Sequence, residues 1–374
     1  MESTLDLGIL NAGNLLDALP DGAYITDLER KIVFWNRAAE RITGWSRTDV
    51  VGKHCSDNIL VHIDKDGHPL CGREFCPLHR SIVTGEGSTC PLMVFAQAKN
   101  GERIPVEVSV APIRDAEGTV VGGVEVFRGL ADLMDDLNRA QLIQEQALAC
   151  DPVDDTRVRI AAHYIPQELV GGDFYRVERL DEDRIALFVA DVTGHGISAA
   201  LYSMQLRSLW EDLRGRLATP QAFLAEMNEG LHRLAMRDDY FATGVHVVLD
   251  VANGTIHYMN AGHPAPLVIG RTGQVAELPA HGPALGLLPE PSYSVATAKL
   301  EPGDTLLLYT DGAVEVFDED REELGTEAFV DMATKIDLSR GELALEELEV
   351  ALLKYSNQIR LPDDLTLLSA HRVQ

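Results

Sequence analysis

The sequence predicts an α+β protein of two domains, and three observations support this fold class. The chain has 374 residues, more than one hydrophobic core usually organises. Segments that alternate apolar and polar residues, typical of antiparallel strands, occur in the first third and again after residue 157. Between these regions, residues 130–150 contain neither glycine nor proline, as expected of a helix. We therefore expect a first domain over residues 1–129, a helical linker over 130–150 and a second domain over 151–374.

The first domain has the pattern of a small α+β sheet domain. Asn36 can cap a helix that follows the second strand, and Gly44 can end that helix. Asn-Gly at 100–101 and Glu-Gly at 117–118 mark turns between later strands. Strands are predicted at residues 22–26, 31–35, 104–113 and 120–127.

The linker carries one helical stripe. It is formed by Leu133, Leu137, Ala140, Gln144 and Ala147, which follow a 4-3-4-3 spacing. The stripe has few large residues, so a strong coiled coil is not expected. We expect a short connecting helix that pairs weakly across a homodimer.

The second domain combines strands with three longer helical segments. An Asn253-Gly254 pair marks a hairpin turn between two of the strands. Because strands stand on both sides of a helical pair, we expect an α+β sandwich. Strands are predicted at residues 158–164, 184–190, 243–250, 255–260 and 304–310, and helices at 198–216, 220–236 and 343–357.

The charge of the chain excludes some classes of partner. The net charge is −27, and the acidic excess is concentrated after residue 130. Such a surface repels phosphate backbones and anionic lipid, so we expect neither nucleic acid nor membrane as a partner. No run of eighteen apolar residues is present, and the N-terminus lacks the basic stretch of a secretion signal. We expect a cytoplasmic protein.

Aspartates beside glycines or at strand ends recur in the second domain. One such aspartate is typical of a turn, but four in one domain point to a shared site. Converging carboxylates repel one another unless a cation lies between them, so a site for hard divalent cations is expected. The four aspartates are Asp173, Asp191, Asp311 and Asp363.

Five motifs of the second domain follow one another in a fixed order: GGD at 171–173, ADVTGHG at 190–196, NAGHP at 260–264, YTDG at 309–312 and PDDLT at 362–366. Taken in order, they resemble the motifs of PPM-type phosphatases, specifically the SpoIIE/RsbU branch that dephosphorylates anti-anti-sigma factors. The resemblance implies an α/β/β/α sandwich and a serine/threonine protein phosphatase. It also implies a phosphorylated STAS-type anti-anti-sigma protein as the substrate, within a sigma-factor partner-switching pathway.

The resemblance further implies a dinuclear Mn²⁺ or Mg²⁺ site. Asp191 would bridge the two ions, with the backbone carbonyl of Val192 as an additional ligand. Asp311 and Asp363 would complete the cluster, and Asp173 would lie close to it as a ligand or through water. Two cations ~3.5–4 Å apart can acidify a shared water and neutralise phosphoryl oxygens, so no protein nucleophile is needed.

Three further residues lie within or beside these motifs. His195 suits general acid work toward the leaving serine oxygen, or it packs or caps the loop before the following helix. His263, followed by Pro264, is expected to be a turn residue rather than a ligand. Arg176 stands where the family usually has an acidic residue, and we expect it to contact a phosphate instead.

The first domain has its own ordered motifs, which are DGAYITD at 21–27, IVFWNRAAE at 32–40, ITGW at 42–45 and VGK at 51–53, followed by the closing hairpins. In this order they resemble a PAS domain. The resemblance implies a five-stranded sheet with a ligand cleft, used for sensing and dimerisation. We expect this domain to detect a redox, gas or small-molecule cue, which the linker helix relays to the phosphatase.

A cysteine- and histidine-rich segment interrupts the first domain. His54, His62, His68 and His79 lie among the thiols, and a metal clip would hold zinc or an iron–sulfur cluster. Buried unreactive thiols and a reversible disulfide are the alternatives. A flavin photosensor is disfavoured because residues 56–59 do not match that family. The four thiols are Cys55, Cys71, Cys76 and Cys90.

A catalytically silent module that binds a phosphoprotein is the alternative to an enzyme. It predicts broken metal ligands. All four aspartate positions are intact, which favours catalysis.

Overall fold

The chain forms two compact units. The computed structural model describes residues 12–64, 67–72, 75–88, 90–150, 152–234, 240–279, 282–358 and 360–374. The N-terminal unit comprises Met1–Asp136 and the C-terminal unit Leu137–Gln374. Their boundary lies inside the linker helix rather than at its start. Within the described ranges, no helix is both long and apolar enough to cross a bilayer.

The N-terminal unit is built on one antiparallel sheet in the order β2-β1-β5-β4-β3. Its strands are β1 (Gly22–Thr26), β2 (Ile32–Trp35), β3 (Leu92–Gln97), β4 (Arg103–Arg114) and β5 (Val120–Gly129). Its helices are α1 (Ala12–Asp17), α2 (Arg37–Thr43), α3 (Arg47–Val50) and α4 (Pro77–Thr84). The four predicted strands are confirmed, and β3 was missed.

Capping residues define both ends of α2 and connect this helix to β1. The Asn36 side chain accepts hydrogen bonds from the backbone N–H of Ala39 at 2.8 Å and of Ala23 at 2.9 Å, which joins the cap of α2 to β1. Gly44 ends α2 with a φ of 73°, a left-handed conformation that favours glycine. Both capping predictions are confirmed. Tyr24 and Trp35 pack together in the core of this unit, with ring centroids 5.4 Å apart.

The linker is the helix α5 (Ala131–Leu148). Gln144, Ala147 and Leu148 are buried, whereas Leu142 and Ile143 are exposed. The second half of the predicted stripe therefore packs within the chain's own C-terminal unit. It is not available to pair across a dimer, which corrects the expected use of Gln144 and Ala147.

The C-terminal unit has two antiparallel sheets, in the orders β13-β10-β9-β8-β7 and β12-β11-β14-β15-β6. The strands of the first are β7 (Phe174–Arg179), β8 (Arg184–Val192), β9 (Ala242–Asp250), β10 (Thr255–Ala261) and β13 (Ala296–Lys299). Those of the second are β6 (Val158–Ile165), β11 (Leu267–Ile269), β12 (Val275–Glu277), β14 (Thr305–Tyr309) and β15 (Leu365–Arg372). The helices are α6 (Gly196–Asp212), α7 (Pro220–Leu234), α8 (Gly325–Thr334) and α9 (Glu342–Ser356).

Three apolar cores define four layers in this unit. The first core lies between the two sheets, where side chains of β8 and β9 pack against side chains of β14 and β15. Leu187 of β8 and Leu368 of β15 are members of this core. A second core packs α6 and α7 against the first sheet around Phe188 and Trp210. A third packs α8 and α9 against the second sheet, where Phe329 lies. The predicted α/β/β/α sandwich is confirmed.

Strand register brings the predicted aspartates toward one end of the sandwich. Phe174, the first residue of β7, pairs with Ala190 of β8, so Asp173 and Asp191 are neighbours. On the other sheet, the backbone N–H of Thr310 donates to the Thr366 carbonyl oxygen at 3.1 Å. The segment after β14 and the segment before β15 therefore lie side by side.

Candidate metal centre

Four aspartates from separate segments converge at this end of the sandwich. Asp173 precedes β7 and Asp191 lies near the end of β8. Asp311 begins a short 3₁₀ helix after β14, and Asp363 lies just before β15. Each of these carboxylates lies within electrostatic reach of at least one of the others.

Asp173 is the most buried member, with 1 % of its surface exposed. Its Oδ2 accepts hydrogen bonds from the hydroxyls of Thr310 at 2.8 Å and Thr366 at 2.6 Å. Its Oδ1 is buried and has no hydrogen-bond partner among the residues that the structure describes. The two threonines thus fix the carboxylate and leave one oxygen available on the side of Asp191.

Burial and mutual repulsion raise the pKa values of these aspartates. Burial raises the pKa of Asp173 well above its usual range, and the nearby Asp364 carboxylate adds to the rise. Burial also raises the pKa of Asp191, and the other three aspartates of the group add to that rise. Burial, followed by the charge of Asp363, raises the pKa of Asp311 to about 6. The arrangement therefore disfavours several negative charges in a small volume.

The donor set fits hard divalent cations. All of its side-chain donors are carboxylate oxygens, the ligands that Mn²⁺ and Mg²⁺ prefer. Among the described residues, no lysine or arginine forms an ion pair with Asp173, Asp191, Asp311 or Asp363. The unpartnered Asp173 Oδ1 would be satisfied by such a cation, since no protein donor among the described residues reaches it.

The carboxylates are near one another without forming a closed cage. Across the described part of the chain, no three histidine, cysteine, aspartate or glutamate side chains already have the spacing of metal ligands. The Val192 carbonyl oxygen lies beside the loop of Asp173, since a Cβ added at Gly172 would lie 3.1 Å from it. Small side-chain movements are thus required before the group can act as one ligand set. The assignment of these residues as ligands stays a prediction.

Asp364 holds the loops together and was not assigned a role from the sequence. Its Oδ1 accepts from the backbone N–H of Gln167 at 2.7 Å, and its Oδ2 accepts from that of Gly172 at 2.5 Å. A Cβ at Gly171 would lie 2.4 Å from both Asp364 Oδ2 and the Tyr164 hydroxyl. The glycine is therefore required by close packing, and Asp364 ties the segment before β15 to the loop of Asp173.

His195 lies at the exposed edge of the site. Its side chain is 68 % exposed, and its Nδ1 lies 3.4 Å from Glu168 Oε1. It occupies the N-cap position of α6, but its side chain makes no capping hydrogen bond. Within the described residues it has no hydrogen bond or ion pair with the aspartates. The capping alternative is therefore wrong, and the general acid role stays a prediction.

His263 has the structural role expected of it. Its ring is buried, and Nδ1 lies 2.8 Å from the Thr243 hydroxyl. Asn260 closes the turn, because its Oδ1 accepts from the His263 N–H at 2.8 Å and its Nδ2 donates to the His263 carbonyl oxygen at 3.0 Å.

Arg176 does not face the site. Its guanidinium is buried and donates to the carbonyl oxygens of Ala147, Leu148 and Ala149, at the C-terminal end of α5. These are carbonyl groups that a helix end leaves without internal partners. The expectation that Arg176 contacts a phosphate is wrong, because the side chain anchors the linker helix instead.

A second linker contact reaches the loop of the candidate site. The buried Gln144 side chain donates to the Gly171 carbonyl oxygen at 2.7 Å and accepts from the Gly171 N–H at 3.1 Å. It also donates to the Ser203 hydroxyl of α6 at 3.1 Å. We call these three hydrogen bonds the Gln144 clamp. It joins α5, the loop of Asp173 and the helix that follows Asp191.

The four predicted sensor thiols differ in burial. Cys55 and Cys76 are buried in the core of the N-terminal unit, Cys71 is half-buried, and Cys90 is exposed. All are free thiols. Burial raises the pKa of Cys55 to about 12 and that of Cys71 to about 11. A metal or cluster on all four stays a prediction, and no ligand set is preassembled there among the described residues.

The four-layered sandwich with an aspartate cluster at one end is a PP2C-like fold, and it follows a PAS domain. The chain belongs to the Stage II sporulation protein E (SpoIIE) family, whose model matches residues 181–373, more than half of the chain. A PAS domain model matches residues 20–129.

Relatives agree with this assignment. The chain is 31% identical over 183 residues to the phosphoserine phosphatase RsbP of Bacillus subtilis, covering 48% of this chain and 45% of RsbP. It is 24% identical over 310 residues to the phosphoserine phosphatase RsbU of the same organism, covering 82% of this chain and 88% of RsbU. The chain thus spans less than half of RsbP and most of RsbU.

A solved structure shares the fold of the C-terminal unit. The SiaA PP2C domain of Pseudomonas aeruginosa superposes with a TM-score of 0.57 at 25% identity, covering 65% of this chain and 98% of that domain.

Proposed function

We propose that this chain is a metal-dependent phosphatase of phosphoserine and phosphothreonine in proteins. The observation that carries the proposal is the convergence of four aspartates, one with a buried oxygen that has no donor. The names of RsbP and RsbU, both phosphoserine phosphatases, support the same reaction.

Two Mn²⁺ or Mg²⁺ ions are the cofactors in this proposal. Asp191 would hold both ions, with the Val192 carbonyl oxygen beside it, and Asp311 and Asp363 would complete the set. Asp173 would contribute its free Oδ1 directly or through water. When bound, such ions neutralise phosphoryl oxygens and acidify a water for in-line attack.

The protein's own groups orient this set and handle the leaving group. Thr310 and Thr366 hold Asp173 so that its free oxygen points into the group. His195 would protonate the leaving serine oxygen from Nε2, since Nδ1 lies beside Glu168. The exposure of His195 suits contact with a side chain on a folded protein substrate.

The proposed substrate is a phosphorylated STAS-type anti-anti-sigma protein in a partner-switching pathway, and the proposed location is the cytoplasm. Ile197 and Leu201 support a protein substrate. They are half or more exposed on the first turns of α6, next to His195. Apolar side chains at the rim of a polar site offer contact area to a folded partner.

Regulation is proposed to run from the PAS domain through α5 to the Gln144 clamp, in a homodimer. The clamp supports this route because it bonds directly to Gly171, two residues before Asp173. A shift of α5 would therefore change the loop that carries a predicted ligand.

A phosphatase assay with a matched control tests the proposal. Rates on p-nitrophenyl phosphate and on a phosphorylated STAS protein are compared for wild type, Asp311→Ala and Asp331→Ala, with and without Mn²⁺. Asp331 is an exposed aspartate on α8 that pairs with Lys335. We expect Asp311→Ala to lose at least ~100-fold, because several kcal/mol of charge stabilisation are removed. Asp331→Ala should match wild type.

Equal, metal-independent rates in all three proteins would remove the enzyme proposal. Binding of the phosphorylated STAS protein without hydrolysis would instead establish the catalytically silent module.

A further inference from the structure

The interior of the N-terminal unit contains two polar groups that face each other without a hydrogen bond. Glu125 lies on β5 and His62 lies in the segment between α3 and α4, and both are more than nine-tenths buried. His62 Nε2 and Glu125 Oε1 are 3.6 Å apart, too far for a hydrogen bond. Within the described part of the chain, neither atom has another hydrogen-bond partner. Two such groups in an apolar core cost free energy unless something satisfies both.

Thiols surround this pair. The backbone N–H of His62 donates to Cys71 Sγ at 3.1 Å. The backbone N–H of Leu70 donates to the His62 carbonyl oxygen at 2.9 Å, so the two ends of this loop meet. Cys55 is buried in the same core. Burial raises the pKa of its thiol, and the charge of Glu125 adds to that rise. Cys55 therefore lies in the same core as the His62–Glu125 pair, and Cys71 is hydrogen-bonded to the backbone of His62.

We propose that His62, Glu125, Cys55 and Cys71 form a binding site for one Zn²⁺-like transition-metal ion. Imidazole nitrogen, thiolate sulfur and carboxylate oxygen are the donors that zinc takes in proteins. Two such nitrogen and oxygen ligands on a tetrahedral zinc lie about 3.3 Å apart, as follows from bond lengths near 2.0–2.1 Å. The observed 3.6 Å is close to this value.

The surroundings of the pair match those of a metal site. Tyr24 pairs with Glu125 across β1 and β5, so the two side chains lie on the same face of the sheet. A neighbouring hydroxyl can orient a metal-bound carboxylate. Val61, directly before His62, has a φ of 37°, a strained conformation for a β-branched residue. The fold thus holds His62 in place at an energetic cost.

The thiols must move to complete the site. No three ligand-type side chains among the described residues are already at ligand spacing. The His62–Glu125 pair is preformed, and Cys71 lies at the end of a loop, so binding would draw that loop toward the pair. Cys90 is exposed and has no part in the site. The ligand set therefore differs from the four-cysteine set expected from the sequence.

Co²⁺ substitution in the full chain tests the proposal. Metal-free, reduced protein is titrated with Co²⁺, which shows a sulfur-to-cobalt charge-transfer band only when thiolates are ligands. The carboxylates of the C-terminal unit cannot produce this band. We expect one Co²⁺ per chain in the band, displaced by one equivalent of Zn²⁺. Absence of the band in the folded wild-type protein would overturn the proposal without any variant.

Variants then assign the ligands. Cys71→Ser and Cys55→Ser should each weaken the band and Co²⁺ affinity at least tenfold, and His62→Gln and Glu125→Gln should weaken the affinity similarly. Cys90→Ser is the matched control and should behave as wild type, with circular dichroism confirming the fold of each variant. A band that is unchanged in His62→Gln and Glu125→Gln, or lost in Cys90→Ser, would overturn the assignment.

Discussion

Removing the Gln144 clamp tests whether the linker helix influences the candidate metal centre, because the change leaves the predicted ligands intact. Gln144→Ala removes the three hydrogen bonds to Gly171 and Ser203 while leaving every aspartate in place. The Gly171 N–H is then buried without its partner, and the Gly171 carbonyl oxygen keeps only the long hydrogen bond from the Ser203 hydroxyl at 3.5 Å. We expect the variant to fold, to unfold at lower temperature and to need more Mn²⁺ for activity.

The magnitude follows from the groups left unpaired. Each unsatisfied buried polar group costs about 1–3 kcal/mol. Water entering the space left by the side chain brings the two Gly171 groups to the low end, a total of about 2 kcal/mol. For a domain of this size, that lowers the melting temperature by ~4–8 °C. If ~1.4 kcal/mol of this cost weakens Mn²⁺ binding through the loop of Asp173, the half-saturating Mn²⁺ concentration rises about tenfold.

The assay is a Mn²⁺ titration of phosphatase activity, combined with thermal unfolding. Gln146→Ala is the control, because Gln146 lies two residues further along α5 and is exposed. A Gln144→Ala protein with the Mn²⁺ dependence and melting temperature of the control would refute the clamp as a route to the metal centre.

Three further predictions follow from the same region and its core. Gly171→Ala should lower activity and cost about 1–3 kcal/mol of stability, because its Cβ would meet the Asp364 carboxylate at 2.4 Å; Gly215→Ala, where a Cβ meets nothing within 4 Å, should be neutral in both measurements. Asp364→Asn should cost about 1–3 kcal/mol in denaturant unfolding, because a single amide oxygen replaces two acceptors; an unchanged midpoint would count against its role in tying the loops. Burial lowers the pKa of His246 to about 4, so the unfolded state binds its proton first and stability falls as pH drops from ~6.5 to ~4, by up to about 3 kcal/mol. His246→Gln should flatten this part of the stability profile, and identical acid profiles would contradict the assignment.

Local signals explain which elements the sequence predicted. Short stretches of sequence determine the Asn36 cap, the end of α2 at Gly44 and the alternation along β4 and β5. The structure confirms these features. The strands that were missed include β3, a run of apolar residues without alternation, and β11 and β12, each of three residues. Such segments become strands through pairing with distant partners, which local periodicity does not record.

The candidate site was predictable as a set of residues but not as a geometry. The motif spacing identified Asp173, Asp191 and Asp311 as members of a group. The supporting roles of Thr310 and Thr366 depend on two strands that meet only in the folded sheet. Their positions within the motifs YTDG and PDDLT were the available signal.

The contacts of Arg176 and Gln144 were not predicted from the sequence, for a different reason. The sequence placed Arg176 next to a motif, so a role at the phosphate was expected. In the folded chain this side chain, on β7, donates to carbonyl oxygens at the end of α5 instead. For Gln144, the heptad pattern recorded only that it shares a face with apolar residues. A polar residue at a stripe position is the signal that it makes a specific buried contact.

The most direct test of the account is the number of Mn²⁺ ions that the chain binds, measured by calorimetry and by electron paramagnetic resonance for wild type, Asp191→Asn and Asp331→Asn. We expect two ions per chain with a spin-coupled signal in wild type and Asp331→Asn, and loss of that signal in Asp191→Asn. Binding of no Mn²⁺, or two coupled ions that persist in Asp191→Asn, would contradict the claim that these carboxylates hold a dinuclear centre.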